Sequence, residues 1–271
     1  MPHLEVPGAS LHWEADGRAS APALLLVHAG IADLRMWDPL VPDLSRDRLV
    51  VRYDVRGAGG TSTEDVEYDP RRDALDVLDH LGVERAVVVG CSRGGTLTLD
   101  LALEHPERVT GLVVIAPGLA GFDYPALTAE EKRRFGEIEA LELAGEREAA
   151  AIVEAELWAV GPDRSADDVA PEFLARVREL ALTGVGHEAE APRPVDPSGP
   201  AGERLGEIAV PTLVVAGAHD LSESLPVCEH LAAEVSGAEL HVLEDAAHLP
   251  GLEHPEEFLA VLRPWLERHG I

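Results

Sequence analysis

Short runs of leucine and β-branched residues recur along the chain, at Leu24 to His28, Leu49 to Tyr53, Ala86 to Gly90, Leu112 to Ala116, Thr212 to Gly217 and Glu239 to Leu243. Runs this apolar suit strands covered on both faces. Between them, Pro70 to Leu81 and Thr96 to His105 space their apolar residues three and four apart. They stop at Leu81-Gly82 and His105-Pro106, which are ordinary helix-stop signals. Strands alternating with helices predict an α/β fold, a mostly parallel sheet of about eight strands between helical layers. Leu4 to Trp13, broken by Pro7-Gly8, predicts an edge hairpin. From Leu119 to Glu207 the pattern turns charged and rich in Ala and Glu, with candidate helices at Thr128 to Leu143, Glu146 to Trp158 and Ala166 to Leu182. It closes on a Pro- and Gly-rich stretch, Ala191 to Gly202. Residues 119–207 therefore read as a strandless helical lid. It would cover the carboxyl edge of a core built from residues 1–118 and 208–271, the edge at which open α/β sheets bind ligands.

Composition narrows the partners. Of the 271 residues 46% are hydrophobic and only 4% aromatic, enough apolar material for one large core, so disorder and a repeat array are poor readings. Fifty acidic residues against 22 Lys plus Arg give a formal charge of −28, a field that repels phosphate backbones and anionic lipid headgroups. The expected partner is a small-molecule substrate, with no nucleic acid and no membrane, and a homodimer stays open. The same field slows strongly anionic substrates unless arginines reverse it near the site. Lys132 is the sole lysine, a bias that reads as GC-rich coding or, alternatively, as a salt-adapted surface. Cys91 and Cys228 cannot make a disulfide framework and show no metal spacing. The opening MPHLEVPGAS lacks the basic start and apolar stretch of a signal peptide, and apolar runs fall short of the roughly 18 residues that span a bilayer, so a cytoplasmic location is expected.

Chemistry concentrates at strand ends. After Ala86 to Val89 comes Gly90-Cys91-Ser92-Arg93-Gly94-Gly95, a Gly-x-Ser-x-Gly pattern between a strand and a helix. That turn strains the serine, and only glycine two before and two after lets strand and helix pass so closely. The competing reading is a chance Gly-rich turn that holds a phosphate. A serine needs a histidine to take its proton and a carboxylate to fix the imidazole tautomer. The Thr212 strand runs into Ala218-His219-Asp220, and the Glu239 strand into Glu244-Asp245-Ala246-Ala247-His248. The order Ser92, Asp220, His248 is that of a nucleophile elbow and its partners.

On these stretches the chain resembles the α/β-hydrolase fold superfamily over nearly its whole length, in the serine-nucleophile branch that holds carboxylesterases and 3-oxoadipate enol-lactonases. The resemblance implies catalytic roles for Ser92, Asp220 and His248, and an oxyanion hole made by the backbone N–H groups of Gly30 and Arg93. His28-Ala29-Gly30 matches the family's His-Gly-x loop, and Asp54-Val55-Arg56-Gly57-Ala58-Gly59-Gly60-Thr61 its Asp-x-Arg-Gly-x-Gly-x-Ser segment. Relatives that open epoxides or dehalogenate carry aspartate where Ser92 stands. The departures are Ala29 for glycine, Thr61 for serine, and Arg93 for the usual Met, Gln or Leu. A buried guanidinium must pair with a carboxylate or with a substrate anion, and a structural ion pair to the lid or helices is the favoured reading in so acidic a chain.

The expected activity is hydrolysis of a carboxylic ester or lactone through an acyl-enzyme. Carbon–carbon bond hydrolysis, lyase chemistry and cofactor-free perhydrolysis use the same triad, and a ligand-sensing protein with little turnover is an alternative of another class. Trp37, Arg93 and Trp158 are the candidate substrate contacts, with Met36 and Phe135 as further pocket candidates. Asp245 competes with Asp220 as the orienting acid, His219 reads as a loop residue, and Cys91 as a buried apolar one. With no dinucleotide fingerprint, no His-x-x-x-His and no phosphate-binding loop ending in Lys-Ser or Lys-Thr, no cofactor and no metal are expected.

Overall fold

The apolar runs become the strands of one central sheet. The computed structural model describes residues 2–187 and 190–271. Its main strands are β1 (His3–Val6), β2 (Ala9–Asp16), β3 (Ala23–Val27), β4 (Leu49–Tyr53), β5 (Ala86–Cys91), β6 (Val109–Ile115), β7 (Thr212–Gly217) and β8 (Glu239–Leu243). They lie in the order β1-β2-β4-β3-β5-β6-β7-β8, and Ser62–Thr63 adds a two-residue pairing to β2. β1 and β2 form the expected edge hairpin, β2 is antiparallel to β4, and every other neighbour is parallel.

The helices that position the site are α1 (Pro70–His80), α2 (Arg93–Glu104), α3 (Ala129–Ala144), α4 (Arg147–Val160), α5 (Pro171–Val185), α6 (Ser224–Glu234) and α7 (Pro255–His269). Alternate residues of each strand feed opposite faces. Leu25, Val27, Val88 and Val214 pack with α1, α2 and α6, while Leu24, Leu26, Val89 and Val215 pack with α7. That second core continues into the insertion through Ala155 and Ala159 of α4 and Phe173, Val177 and Leu180 of α5. Burial on both faces explains why the strand sequences lack alternation.

Several expectations shift. α2 begins at Arg93 rather than Thr96, because the glycines after Ser92 are already helical. Ala166–Asp168 is an isolated turn, and α5 starts at Pro171, whose fixed φ suits a first helical position. The 119–207 insertion is not strandless, since Arg193–Pro194 pairs in parallel with Glu67–Tyr68. Two residues of ladder leave no hydrophobic signature to read. Among the described residues, no helix is long and apolar enough to cross a membrane.

Chain order sets the position of the site. β3 is followed leftward by β4, whereas β5 lies on its other side, with Val27 opposite Gly90. The carboxyl ends of β3 and β5 thus flank a topological switch point, the crevice where doubly wound sheets take ligands.

Candidate active site

Ser92 sits in that crevice between β5 and α2 with φ 54° and ψ −118°, a conformation that L-residues rarely hold. Two contacts pin it: Ser92 N–H donates to the Ile115 carbonyl at 2.8 Å, and Thr96 N–H donates to the Ser92 carbonyl at 2.9 Å. The flanking glycines are dictated by approach. A Cβ at Gly90 would fall closer than 3.0 Å to the Gly94 carbonyl, and one at Gly94 closer than 3.0 Å to the Val27 and His28 carbonyls.

Asp220 and His248 come from the ends of β7 and β8. The His248 Nδ1 lies 2.7 Å from Asp220 Oδ2, and Leu221 N–H donates to Asp220 Oδ1 at 2.7 Å. Both side chains are nearly fully buried. With its Oδ1 already held by Leu221, Asp220 offers Oδ2 to an N–H at Nδ1, which leaves Nε2 as the basic nitrogen. His248 N–H donates to the Trp158 carbonyl at 3.3 Å, and the Trp158 ring stands 4.4 Å from the imidazole. Ser92 Oγ makes no hydrogen bond among the described residues, although Ser92 and His248 line the same cavity of about 670 Å³. In unliganded sites a nucleophile–base contact is often long and tightens on binding.

The loop after β3 supplies Gly30, whose N–H has no acceptor among the described residues. Arg93 N–H belongs to the first turn of α2, where no intrahelical acceptor exists. His28 props this loop: Val55 N–H donates to its Nε2 at 3.1 Å, and its Nδ1 lies 2.8 Å from the Ala29 carbonyl. Burial lowers the His28 pKa despite the nearby Asp54, and the Arg93 charge lowers it further, so the ring stays neutral. Ala29 has no positive φ, so the missing glycine costs no strain there.

Other candidates separate. Asp245 is exposed and offers its backbone carbonyl, not its carboxylate, to Arg164. His219 pairs with Asp163 at 3.0 Å, away from the imidazole of His248. Cys91 is fully buried, and burial pushes its thiol pKa well up. Trp158 lines the cavity, whereas Phe135 only stacks on it edge-on at 6.3 Å. Trp37 does not line it: Leu34–Trp37 is a single turn whose Leu34, Met36 and Trp37 all point inward, and Trp37 is fully buried in the α7 core. Met36 stays beneath the loop, accepting the Ala29 N–H on its sulfur at 3.2 Å.

Arg93 overturns the favoured expectation. It has no carboxylate partner among the described residues; its polar neighbours are the phenols of Tyr53 and Tyr68 and the neutral imidazole of His28, and its exposed surface faces the cavity. Burial lowers its pKa and raises those of both tyrosines, which therefore bring no negative charge. Sequence reasoning also misses Glu142, Arg147 and Glu154 in the cavity wall. Burial raises the Glu154 pKa, and Glu142 raises it further. The signal was available, since Ala150, Ala151, Glu154 and Trp158 fall on one face of α4. Arg164 is missed as well: it donates to the Val160 and Asp245 carbonyls and pairs with buried Glu253 at 2.9 Å, tying the end of α4 to the His248 loop. No group of three His, Cys, Asp or Glu side chains among the described residues is placed to hold a metal ion.

The sequence profile of the alpha/beta hydrolase family matches residues 24–261. The chain is 26% identical to 3-oxoadipate enol-lactonase 1 of Acinetobacter baylyi, over 94% of this chain and 92% of that one. It is 30% identical to 2-hydroxymuconate semialdehyde hydrolase of a Pseudomonas species, over 97% and 93%. Among solved structures, a hydrolase from Pseudomonas aeruginosa superposes with a TM-score of 0.78 at 31% identity, over 98% of this chain and 97% of that one.

Proposed function

Because the chain belongs to the alpha/beta hydrolase family, we propose that it is a serine hydrolase that cleaves a small-molecule carboxylic ester or lactone. The observation that carries this reading is the buried 2.7 Å contact between His248 and Asp220 beside a cavity shared with Ser92. Similarity to an enol-lactonase supports the ester or lactone class. His248 Nε2 takes the Ser92 proton as Oγ bonds to the carbonyl carbon, and the Gly30 and Arg93 amides receive the oxyanion. Each such donor is worth about 10²–10³ in rate. The carbon–oxygen bond then breaks, and the proton passes from His248 to the departing alcohol. Water, losing a proton to the same histidine, adds to the acyl-enzyme and releases the acid and Ser92. Asp220 holds the tautomer and stabilises the imidazolium.

Residues 119–207 act as the lid in this reading, and Trp158 and Arg93 contact substrate. Two free, buried cysteines fit a cytoplasmic enzyme. Similarity to a protein named for a semialdehyde favours carbon–carbon bond hydrolysis by the same serine as the second reading. The test is intact-mass spectrometry after treatment with a fluorophosphonate. One adduct on the wild type, absent from Ser92→Ala, supports an activated serine; no adduct on folded wild type overturns it.

A further inference from the structure

Most arginines of this chain sit against carboxylates, as Arg35, Arg52, Arg56, Arg176 and Arg204 do. Arg93 is different in kind: a guanidinium beside the nucleophile, facing the cavity, with neutral phenols for neighbours. Arginine keeps its proton in proteins, so the charge persists and its N–H donors are open to the cavity. A Cβ placed on Gly30 would lie 3.8 Å from both Cβ and Nε of Arg93, so the side chain runs across the oxyanion loop.

The chemistry of Ser92 then sorts the substrate. Its carbonyl oxygen must face the Gly30 and Arg93 amides, and its leaving oxygen must face His248, which protonates it. Beside His248 stands Trp158, and one turn back on the same face of α4 is Glu154, with Glu142 nearby in the wall. The leaving group therefore extends along a wall of mixed charge that holds Glu142, Arg147 and Glu154. The acyl chain is left the lining supplied by Gly30, Gly57, Ala58 and the Arg93 guanidinium.

We propose that Arg93 receives a carboxylate on the acyl half of the substrate, so that the enzyme cleaves half-esters of dicarboxylic acids. This deepens the serine-hydrolase reading and rests on it. Each turnover consumes one water and releases a dicarboxylate, the alcohol and a proton. It also reconciles a chain of charge −28 with an anionic substrate, because one uncompensated arginine reverses the field where the acyl chain docks.

The test compares kcat/KM for monoethyl succinate with that for ethyl 4-methylpentanoate, whose isopropyl end replaces the carboxylate at nearly equal size, and with the butanoyl ester of glycolate, which carries its carboxylate on the alcohol. Charge-assisted hydrogen bonds to a carboxylate predict a preference of about ten- to a hundredfold for monoethyl succinate over the neutral ester. The glycolate ester, whose carboxylate lies on the alcohol and away from Arg93, should be poorer than monoethyl succinate. In Arg93→Met the succinate-to-neutral ratio should fall to about one whatever happens to the shared rate, and Arg93→Lys should restore part of it. Equal ratios in wild type and Arg93→Met, or better cleavage of the glycolate ester, overturn the proposal. Fluorophosphonate labelling of Ser92 separates this failure from failure of the hydrolase reading. Should labelling fail, calorimetric binding to the Ser92→Ala protein decides: monoethyl succinate binding that Arg93→Met abolishes upholds the anion site, and no preference over the neutral ester overturns it.

Discussion

Replacing Asp220 by Asn tests the candidate site through a single proton. Asp220 has two oxygens with separate duties, Oδ1 accepting the Leu221 N–H and Oδ2 facing His248 Nδ1, each at 2.7 Å. An asparagine must turn its oxygen toward one of them. Turning its NH₂ toward Leu221 would oppose two donors in a buried site, a cost of about 1–3 kcal/mol. The amide therefore keeps its oxygen on Leu221 and presents NH₂ to His248. Nδ1 then becomes an acceptor, the imidazole proton moves to Nε2, and that nitrogen can no longer take the proton of Ser92. The wrong tautomer costs about 10⁴-fold in kcat, or roughly 5.5 kcal/mol of barrier. Ester hydrolysis and the rate of fluorophosphonate labelling should fall together, while circular dichroism and thermal unfolding stay near wild type because the packing volume is unchanged. Asp245→Asn is the control, since that carboxylate is exposed and faces away. A loss under about tenfold in Asp220→Asn, or a collapse in Asp245→Asn, would refute the reasoning.

Three further substitutions probe what holds the site. Gly94→Ala drives a methyl group into the Val27 and His28 carbonyls and should cost more than about 3 kcal/mol or prevent soluble expression, whereas Gly136→Ala, with open space around it in α3, should gain roughly 0.5–1 kcal/mol in urea melts. Arg164→Met leaves Glu253 buried without its ion pair; a loss of about 3 kcal/mol is expected, with a Tm lower by roughly 8 °C and slower labelling of Ser92, and an unchanged Tm would show that the tether carries nothing. Asp100, on α2, has its pKa raised to about 6 by burial, with Arg71 opposing and Glu104 adding to the rise. The folded state therefore binds the proton more tightly, so stability falls as pH climbs from the unfolded value near 4 through 6. Asp100→Asn should raise stability by about 1–2 kcal/mol at pH 7.5, after allowance for solvent screening, and by little at pH 4; the reverse pH trend would contradict the sign.

What the sequence discloses and what it withholds divide along physical lines. Strands buried on both faces announce themselves as unbroken apolar runs, and Ser92 and Asp220 stand out because each follows such a run by only a few residues, whereas His248 follows the half-buried edge strand β8. Gly90 and Gly94 are legible for the same reason: the backbone leaves them no alternative. Local turns are harder. Leu34–Trp37 directs three apolar side chains inward at once, so Trp37 enters the core although its position after the His28-Ala29-Gly30 loop suggests a pocket wall. The unpaired state of Arg93 cannot be read at all, since it depends on which of 50 acidic residues come near, and none does among those described. Glu154 lies between these cases. Its α4 face is visible as a helical stripe, but that the stripe covers a cavity instead of the core is decided by α5 and the strand ends.

Residues 119–207 are tied directly to the loops that carry His248 and Asp220. Its Trp158 carbonyl accepts the backbone N–H of His248, and Arg164, just beyond α4, grips the same loop through Asp245 and Glu253. On the acid side, Glu131 of α3 accepts both the N–H and the hydroxyl of Ser222, two residues after Asp220, while closing a capping box on Thr128. Burial would raise the Glu131 pKa, but these hydrogen bonds prevail and hold it below the usual carboxylate range. The loops that carry His248 and Asp220 are thus anchored to the helices that also present Glu142, Glu154 and Trp158 to the cavity. In the proposed hydrolase reading recognition and proton transfer would share one mechanical support, because any shift of α4 that reshapes its side of the cavity also moves the carbonyl holding His248. Displacements of about 1 Å are enough to cost 10² in rate when reacting groups must align. Substitutions along the Ala150, Ala151 and Glu154 stripe should therefore change kcat together with KM, unlike changes at Gly57 and Ala58, which make no hydrogen bond to either loop among the described residues.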